Sequence, residues 1–280
     1  MFASLIVGTL NRADYLSYCL ESLKKQTYKD FEVIIIDQST ENDTQNMIES
    51  LNWSQVIYKR VTFKGLSKAR NEAIKVSSGD TFCLIDDDAY YESDYLANVA
   101  KHIKKDKNQI ISGVLFNTKT NCDFVDYSKL KDEKALSYWK VTRYCPSPAI
   151  SFPKELVEEI GMFDEEFGVG AKYGAAEETD LLLRGMKKGF QVIHYKDVRA
   201  RHPHDKVAGN GIEEDKSKSY SYSYGIGAMY KKNTGGNIFS KIGAVYAERV
   251  LRDVAKGFIN KEDWSLYKNL TKGFRDYKKK

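Results

Sequence analysis

Thr81-Phe82-Cys83-Leu84-Ile85-Asp86-Asp87-Asp88 is the stretch on which the reading of this chain turns. Five largely apolar residues, too few for a helix, run straight into three carboxylates, the pattern of a buried strand that ends in a crevice at a sheet edge. Neighbouring carboxylates repel one another and lose hydration there, so the cluster persists where a cation or a polar ligand compensates. If the backbone stays extended, its period of two turns Asp86 and Asp88 to one face and Asp87 to the other. Two oxygen ligands on one face suit a hard divalent ion, Mg²⁺ or Mn²⁺, whose coordination substrate phosphates commonly complete. The plainer alternative is a solvated acidic turn, or a helix start shared with Glu92 and Asp94.

Outward from this stretch the chain alternates between two periodicities. Phe2 to Val7 reads as a strand, Leu16, Leu20 and Leu23 as a helix face, Phe31 to Ile36 as a strand ending at Asp37, and Met47, Ile48 and Leu51 as a second helix. Val56 to Val61 gives a third strand, Gly65 a turn and Ser67 to Val76 a helix. Repeated βα units predict an α/β fold, a mostly parallel sheet flanked by helices. Ligands of such sheets sit beyond the carboxyl ends of the strands. That rule gathers Thr9, Asn11 and Arg12, then Asp37, then Arg70 and Asn71, then Asp86, Asp87 and Asp88 onto one edge. An Asp accepts hydrogen bonds from a base or ribose, and an Arg pairs with an acid or a phosphate. Taken singly, Asp37 reads equally well as a turn residue and Arg70 as a helix-surface residue.

Beyond the strand Ile110 to Phe116 the rhythm changes. Asn117 to Trp139 is irregular, Tyr144-Cys145-Pro146-Ser147-Pro148 leads to the strand Ala149 to Phe152, and a helix spans Lys154 to Ile160. A glycine-bounded loop from Gly161 to Gly168 precedes a helix that opens with Glu177, Glu178 and Asp180, acids that also favour a helix N-terminus. The strand Gln191 to Tyr195 follows, and just past it lies Arg201-His202-Pro203-His204-Asp205, with two imidazoles able to ligate Mn²⁺.

A chain of 280 residues, 42% hydrophobic and 30% charged, with only 4 Pro, has the material for one large domain or a main domain with an appendage. The expected division is a catalytic part, 1–211, and a basic, Tyr-rich, mainly helical part, 212–280. The charge supports it: 15 Lys and Arg against 8 Asp and Glu from Ile212 to Lys280 make +7, leaving −2 for the remainder. In that tail Ile242, Tyr246, Val250, Val254 and Phe258 mark an apolar stripe beside Arg249, Arg252 and Lys256. Such a helix lies on anionic lipid, helped by Lys278 to Lys280, or packs on the catalytic part. The 4 scattered Cys have no paired ligand spacing, no leader pattern opens the chain, and no run is long enough to span a membrane. A cytoplasmic protein with reduced thiols is expected, peripheral to a membrane if the tail binds lipid.

Read in order, these segments resemble a family 2 glycosyltransferase, the inverting, nucleotide-sugar-dependent group with the GT-A fold, over about Ser4 to His204. The pieces are Thr9-Leu10-Asn11-Arg12, Ile35-Ile36-Asp37-Gln38-Ser39-Thr40, Leu66-Ser67-Lys68-Ala69-Arg70-Asn71, Leu84-Ile85-Asp86-Asp87-Asp88, Phe163-Asp164-Glu165-Glu166-Phe167-Gly168 and Glu177-Glu178-Thr179-Asp180-Leu181. The resemblance implies that Asp37 contacts the nucleobase or ribose, with Arg70 as its basic neighbour and Thr9 at the same pocket. Asp86 and Asp88 match the DXD positions, the first on ribose and the second on Mn²⁺ or Mg²⁺, with His202, or else His204, as a further ligand. Glu178 stands where the family usually has the Asp that acts as general base; Glu177 binds acceptor hydroxyls, and Asp180 is the base if the register slips. The implied donor is a nucleoside-diphosphate sugar, UDP foremost, and the acceptor a saccharide or lipid-linked saccharide in bacterial surface polysaccharide assembly. A sugar-phosphate nucleotidyltransferase would open with a glycine-rich phosphate loop, which Thr9 to Asp14 lacks. A nucleic-acid-binding module would explain the tail and leave the acidic crevice unexplained, so nucleic acid is not an expected partner.

Overall fold

The computed structural model describes residues 1–103, 108–203, 216–258 and 261–279. Its first half is the expected alternation: β1 (Ala3–Thr9), α1 (Ala13–Lys24), β2 (Phe31–Asp37), α2 (Asp43–Leu51), β3 (Val56–Arg60), α3 (Leu66–Val76) and β4 (Thr81–Leu84). There follow β5 (Tyr90–Tyr91), α4 (Tyr95–Ile103), β6 (Gln109–Asn117), β7 (Lys134–Ala135), α5 (Tyr138–Tyr144), β8 (Ile150–Pro153), α6 (Lys154–Ile160), α7 (Glu177–Lys188) and β9 (Gln191–His202). Three helices close the chain, α8 (Lys216–Thr234), α9 (Lys241–Gly257) and α10 (Lys261–Asp276).

The strands form one sheet in the order β3-β2-β1-β4-β8-β6-β9-β5, with β7 also paired to β9. β1, β2, β3 and β4 are parallel, β8 runs antiparallel between β4 and β6, and β6 and β9 are parallel again. Unbroken apolar strands read this way because both faces are covered. Ile6, Ile34, Ile36 and Leu84 join Ala69 and Ala73 of α3 on one side; Leu5, Val7, Val33, Ile35 and Cys83 join Leu16, Leu20 and Leu23 of α1 on the other. Thr9 and Asp37 end paired strands in register, so the crevice runs along the carboxyl edge.

One expectation is corrected and one open choice is narrowed. β9 does not stop at Tyr195 but continues to His202, because its second half pairs with β6 after a register shift between Ser112 and Val114, and with β5 through Tyr90–Arg201 and Tyr91–Ala200. The stripe on α9 is divided: Ile242 is buried and Tyr246 and Val250 pack on the core that contains Leu181, Met229 and Leu270, the packed alternative, whereas Phe258 at its end is exposed. Arg249 and Arg252 are held by Asp253 at 3.2 and 3.4 Å. The C-terminal helices thus share the core of the catalytic part. α8 and α10 approach closely enough that a Cβ at Gly227 would meet the Leu270 carbonyl at 1.9 Å, and one at Gly273 the Tyr224 carbonyl at 1.9 Å. The expected boundary at Gly211 lies outside the described residues.

The four cysteines are free thiols, three of them buried. Among the described residues no helix is long and apolar enough to cross a membrane.

Candidate active site

The aspartate triplet does not stay extended. The strand ends at Leu84, and the Ala89 amide closes a turn onto the Asp86 carbonyl at 2.9 Å. The three side chains therefore diverge instead of alternating. Asp86 faces Arg70, whose Nη2 donates to it at 3.2 Å. Asp87 points inward and accepts from Thr9 Oγ1 and Arg12 Nη1, each at 2.8 Å. Asp88 accepts from Arg12 Nη2 at 2.6 Å and stands 3.0 Å from His202 Nε2. The antiparallel Tyr90–Arg201 pair makes that last contact, since it sets the residue after Arg201 beside the turn before Tyr90.

These environments separate the carboxyls. Burial, against the opposing charge of Arg12 and the Thr9 hydrogen bond, pushes Asp87 up to about 6. Burial would raise Asp88 as well, but the hydrogen bond and charge of His202, then Arg12, outweigh it and hold Asp88 at about 2. His202 responds oppositely: burial alone would lower it, and Asp88 raises it.

On the facing wall, the Phe163–Gly168 loop is laced to α3. Ser67 Oγ donates to the Phe167 carbonyl at 2.7 Å, and Asn71 exchanges bonds with the Phe163 backbone at 2.9 Å in each direction. Asn71, expected at the nucleotide, is instead this buried staple. Gly168, at φ +94°, lies where a Cβ would sit 3.1 Å from the Glu177 carboxyl carbon, so both its conformation and the space beside it call for glycine.

Arg70, expected beside Asp37, bonds elsewhere. Its Nη1 donates to Glu177 at 2.8 Å and its Nη2 to Ser147 Oγ at 2.6 Å, besides Asp86. One buried guanidinium thus spans the aspartate turn and the first residue of α7. Asp37 is itself buried, accepting from the Ser39 amide at 2.8 Å and the Tyr58 hydroxyl at 2.7 Å. Asn11, at φ 53°, ties the ends of β1 and β2 together through Ser39 and Thr40.

Glu178 lies beside Glu177 at the start of α7 and accepts from Thr179 Oγ1 at 3.2 Å. The residue keeps partial solvent contact while protein packs closely around its carboxyl. That burial, then the charge of Glu177, raises its pKa above the usual carboxylate range, with Arg70 opposing. Asp180 does not serve as an alternative base. It is fully buried, and both oxygens are engaged, by Asn233 at 2.8 Å and by Arg184 and Lys232 at 2.9 and 2.7 Å. It clasps α7 to α8, and Lys232 also reaches Asp164 at 2.8 Å.

His204 lies outside the described residues. Three participants escaped the sequence reading. Ser147 was signalled only by the flanking prolines Pro146 and Pro148; Tyr58 and Tyr222 carried no local signal. α8 lies beside α7 through the Lys232 and Asn233 bonds to Asp180, and Tyr222 on it, though 37% exposed, is pushed up to about 12 by partial burial, then by the charges of Glu177, Asp86, Glu178 and Asp88. Separate surface clefts of about 360 and 380 Å³, lined by Tyr18 and Tyr90 and by Lys64 and Lys172, include none of the three aspartates. The site is defined by its converging side chains rather than by those hollows.

A mostly parallel sheet with an acidic turn at its carboxyl edge and a second acid pair across from it defines a nucleotide-sugar glycosyltransferase of GT-A architecture. Residues 4–161, more than half of the chain, match the family model "Glycosyl transferase family 2", and the chain belongs to that family. Among curated relatives it is 27% identical over 188 residues to the Escherichia coli UDP-Glc:alpha-D-GlcNAc-diphosphoundecaprenol beta-1,3-glucosyltransferase WfaP, covering 66% of this chain and 71% of WfaP. It is 31% identical over 123 residues to a Mycobacterium bovis PGL/p-HBAD biosynthesis glycosyltransferase, covering 42% of this chain and only 48% of that relative. The fold is shared with S. aureus TarS in complex with UDP-GlcNAc, at a TM-score of 0.65 and 16% identity over 100% of this chain and 93% of that one. It is shared too with the Pyrobaculum calidifontis mannosyltransferase PcManGT in complex with GDP-Man and Mn²⁺, at 0.66 and 16% over 97% and 85%.

Proposed function

We propose that this enzyme transfers a sugar, with inversion, from a nucleoside-diphosphate sugar, a UDP-sugar first among them, to a saccharide or lipid-linked saccharide in bacterial surface polysaccharide assembly, at the cytoplasmic side of the membrane. The observation that carries the reading is Arg70, which binds Asp86 on the donor side and Glu177 on the acceptor side and so makes them two walls of one crevice. The diphosphoundecaprenol-linked acceptor of WfaP and the UDP-GlcNAc bound by TarS support the choice of acceptor and nucleobase.

The donor set suits Mn²⁺ or Mg²⁺: the carboxylate of Asp88 and the imidazole of His202, 3.0 Å apart, with donor phosphates to complete the shell. Among the described residues no group of three such ligands is already gathered. Asp88 is held instead by Arg12 and His202, which occupy its two oxygens as a cation would. When bound, a divalent ion neutralises charge on the departing diphosphate. Arg12, 39% exposed, is free enough to exchange Asp88 for a phosphate oxygen. Asp37 and Thr9 hold the nucleoside end, and Asp86 the ribose. Glu178 takes the proton from the acceptor hydroxyl as that oxygen attacks the anomeric carbon opposite the leaving diphosphate. Glu177, fixed by Arg70, orients the acceptor.

A direct check is the anomer formed from an α-linked donor, read by NMR, alongside Glu178→Gln. Inversion is expected, with turnover down about 10²-fold in the variant and donor affinity nearly unchanged. A retained α linkage excludes single displacement.

A further inference from the structure

With the Ile242–Tyr246–Val250 side of α9 turned to the core, its outer face stands open. Lys241, Ala244, Ala247, Leu251, Ala255 and Phe258 are all exposed. From Ala244 onward they recur at steps of three and four, so they form one line along the helix. Leu251 is 70% and Phe258 83% exposed, and the turn leading into α9 adds Phe239 at 93% and Ile238 at 50%. Trp264 of α10 lies against Phe258, ring centroids 5.9 Å apart. Single exposed apolar residues are ordinary on a protein surface, but a continuous line of them with aromatic ends marks a contact surface.

The charges around this line select its occupant. Both acids of α9 are neutralised within the protein, Glu248 by Arg143 at 2.6 Å and Asp253 by Arg249 at 3.2 Å. Lys241 and Lys256 are exposed beside the line, and the whole segment from Ile212 to Lys280 carries a net +7. An apolar face edged by ammonium groups, with its own carboxylates already paired, complements a surface that is apolar beneath and anionic above. A helix of this kind lies in the plane of a bilayer, apolar side chains below the headgroups and lysines among the phosphates.

We propose that the outer face of α9, together with the Ile238–Phe239 turn, is a docking surface for an anionic phospholipid bilayer. It lies on the side of the helix away from Ile242, Tyr246 and Val250 and shares only Phe258 with the apolar stripe. Its purpose rests on the reading that the acceptor is lipid-linked; the binding itself is measured without acceptor or donor.

The test is co-sedimentation of the full chain with vesicles of phosphatidylcholine alone and of phosphatidylcholine mixed equally with phosphatidylglycerol. Binding to the mixed vesicles that weakens with salt is expected, and Phe239→Gln, Leu251→Gln and Phe258→Gln combined should reduce it by about tenfold or more. These positions are exposed, so the melting temperature should hold, as should hydrolysis of the donor in solution. Indifference of the native chain to the mixed vesicles overturns the proposal, as does equal binding by the triple variant. A lipid-free dimer in light scattering that the triple variant abolishes also overturns it, assigning the face to a second copy. Vesicle binding without sugar transfer would refute the enzymatic reading and leave this face standing.

Discussion

Replacing Arg70 by Met tests how the crevice is built. The side chain is 2% exposed, and Met retains much of its volume while removing every bond to Glu177, Asp86 and Ser147. Glu177, at 6% exposure, has almost no access to water once its partner is gone, and leaving one member of a buried pair uncompensated costs about 3–5 kcal/mol. Asp86, 29% exposed, regains hydration and adds little. At about 2–4 °C per kcal/mol, the melting temperature should fall by roughly 6–20 °C. Glu177→Met alone leaves Arg70 with Asp86 and should be milder. Arg70→Met with Glu177→Met removes both charges, so it should lie well above the sum of the singles, with a coupling of about 2–3 kcal/mol. Thermal and urea unfolding of the four proteins gives the cycle directly, and unchanged urea slopes would show that the unfolded state is not the source. Effects that add within about 0.5 kcal/mol would refute the pairing as the organising contact. Below its melting temperature Arg70→Met should lose turnover more than donor affinity, since the guanidinium orients acids on both walls.

Asp88→Ala should abolish transfer and the Mn²⁺-dependent part of nucleotide affinity, both followed by titration; full transfer in excess EDTA contradicts this. Asp37→Ala should weaken donor binding while turnover at saturating donor is largely kept, because a contact at the nucleoside end serves ground and transition states alike. The base form of Glu178 is its carboxylate, and its pKa is raised by burial and Glu177, so turnover should rise with pH through a value above the ordinary carboxylate range. Glu178→Gln should flatten that limb, and a native profile already flat from pH 5 upward argues for another base.

The order of strands and helices up to β4 was legible because each buried strand is a short apolar run and each helix repeats at three and four, signals carried within a few residues. The edge on which Thr9, Arg12 and the aspartates meet was legible too, because parallel strands put their ends on one side whatever the side chains do. What stayed hidden depends on contacts between residues far apart in the chain. Nothing near Arg70 shows that it reaches Glu177, 107 positions on, rather than Asp37, and Asp180 reads as a second helix-opening acid until Lys232 and Asn233 of α8 are brought to it. The α9 stripe left two readings open for a related reason: a helix with apolar residues on two sides has a periodicity that does not say which side finds a partner. The same long-range contacts settle the charge balance of the crevice. Five carboxylates, from Asp86, Asp87, Asp88, Glu177 and Glu178, face two arginines and one histidine, and Asp87 and Glu178 are displaced upward by burial first, with neighbouring carboxylates adding to it. A diphosphate adds negative charge to a site already short of positive charge, so donor binding and cation binding should strengthen each other. If Asp88 takes the cation, the Arg12 and His202 contacts that now occupy both its oxygens must be exchanged, so cation affinity should rise in Arg12→Ala when nucleotide is absent.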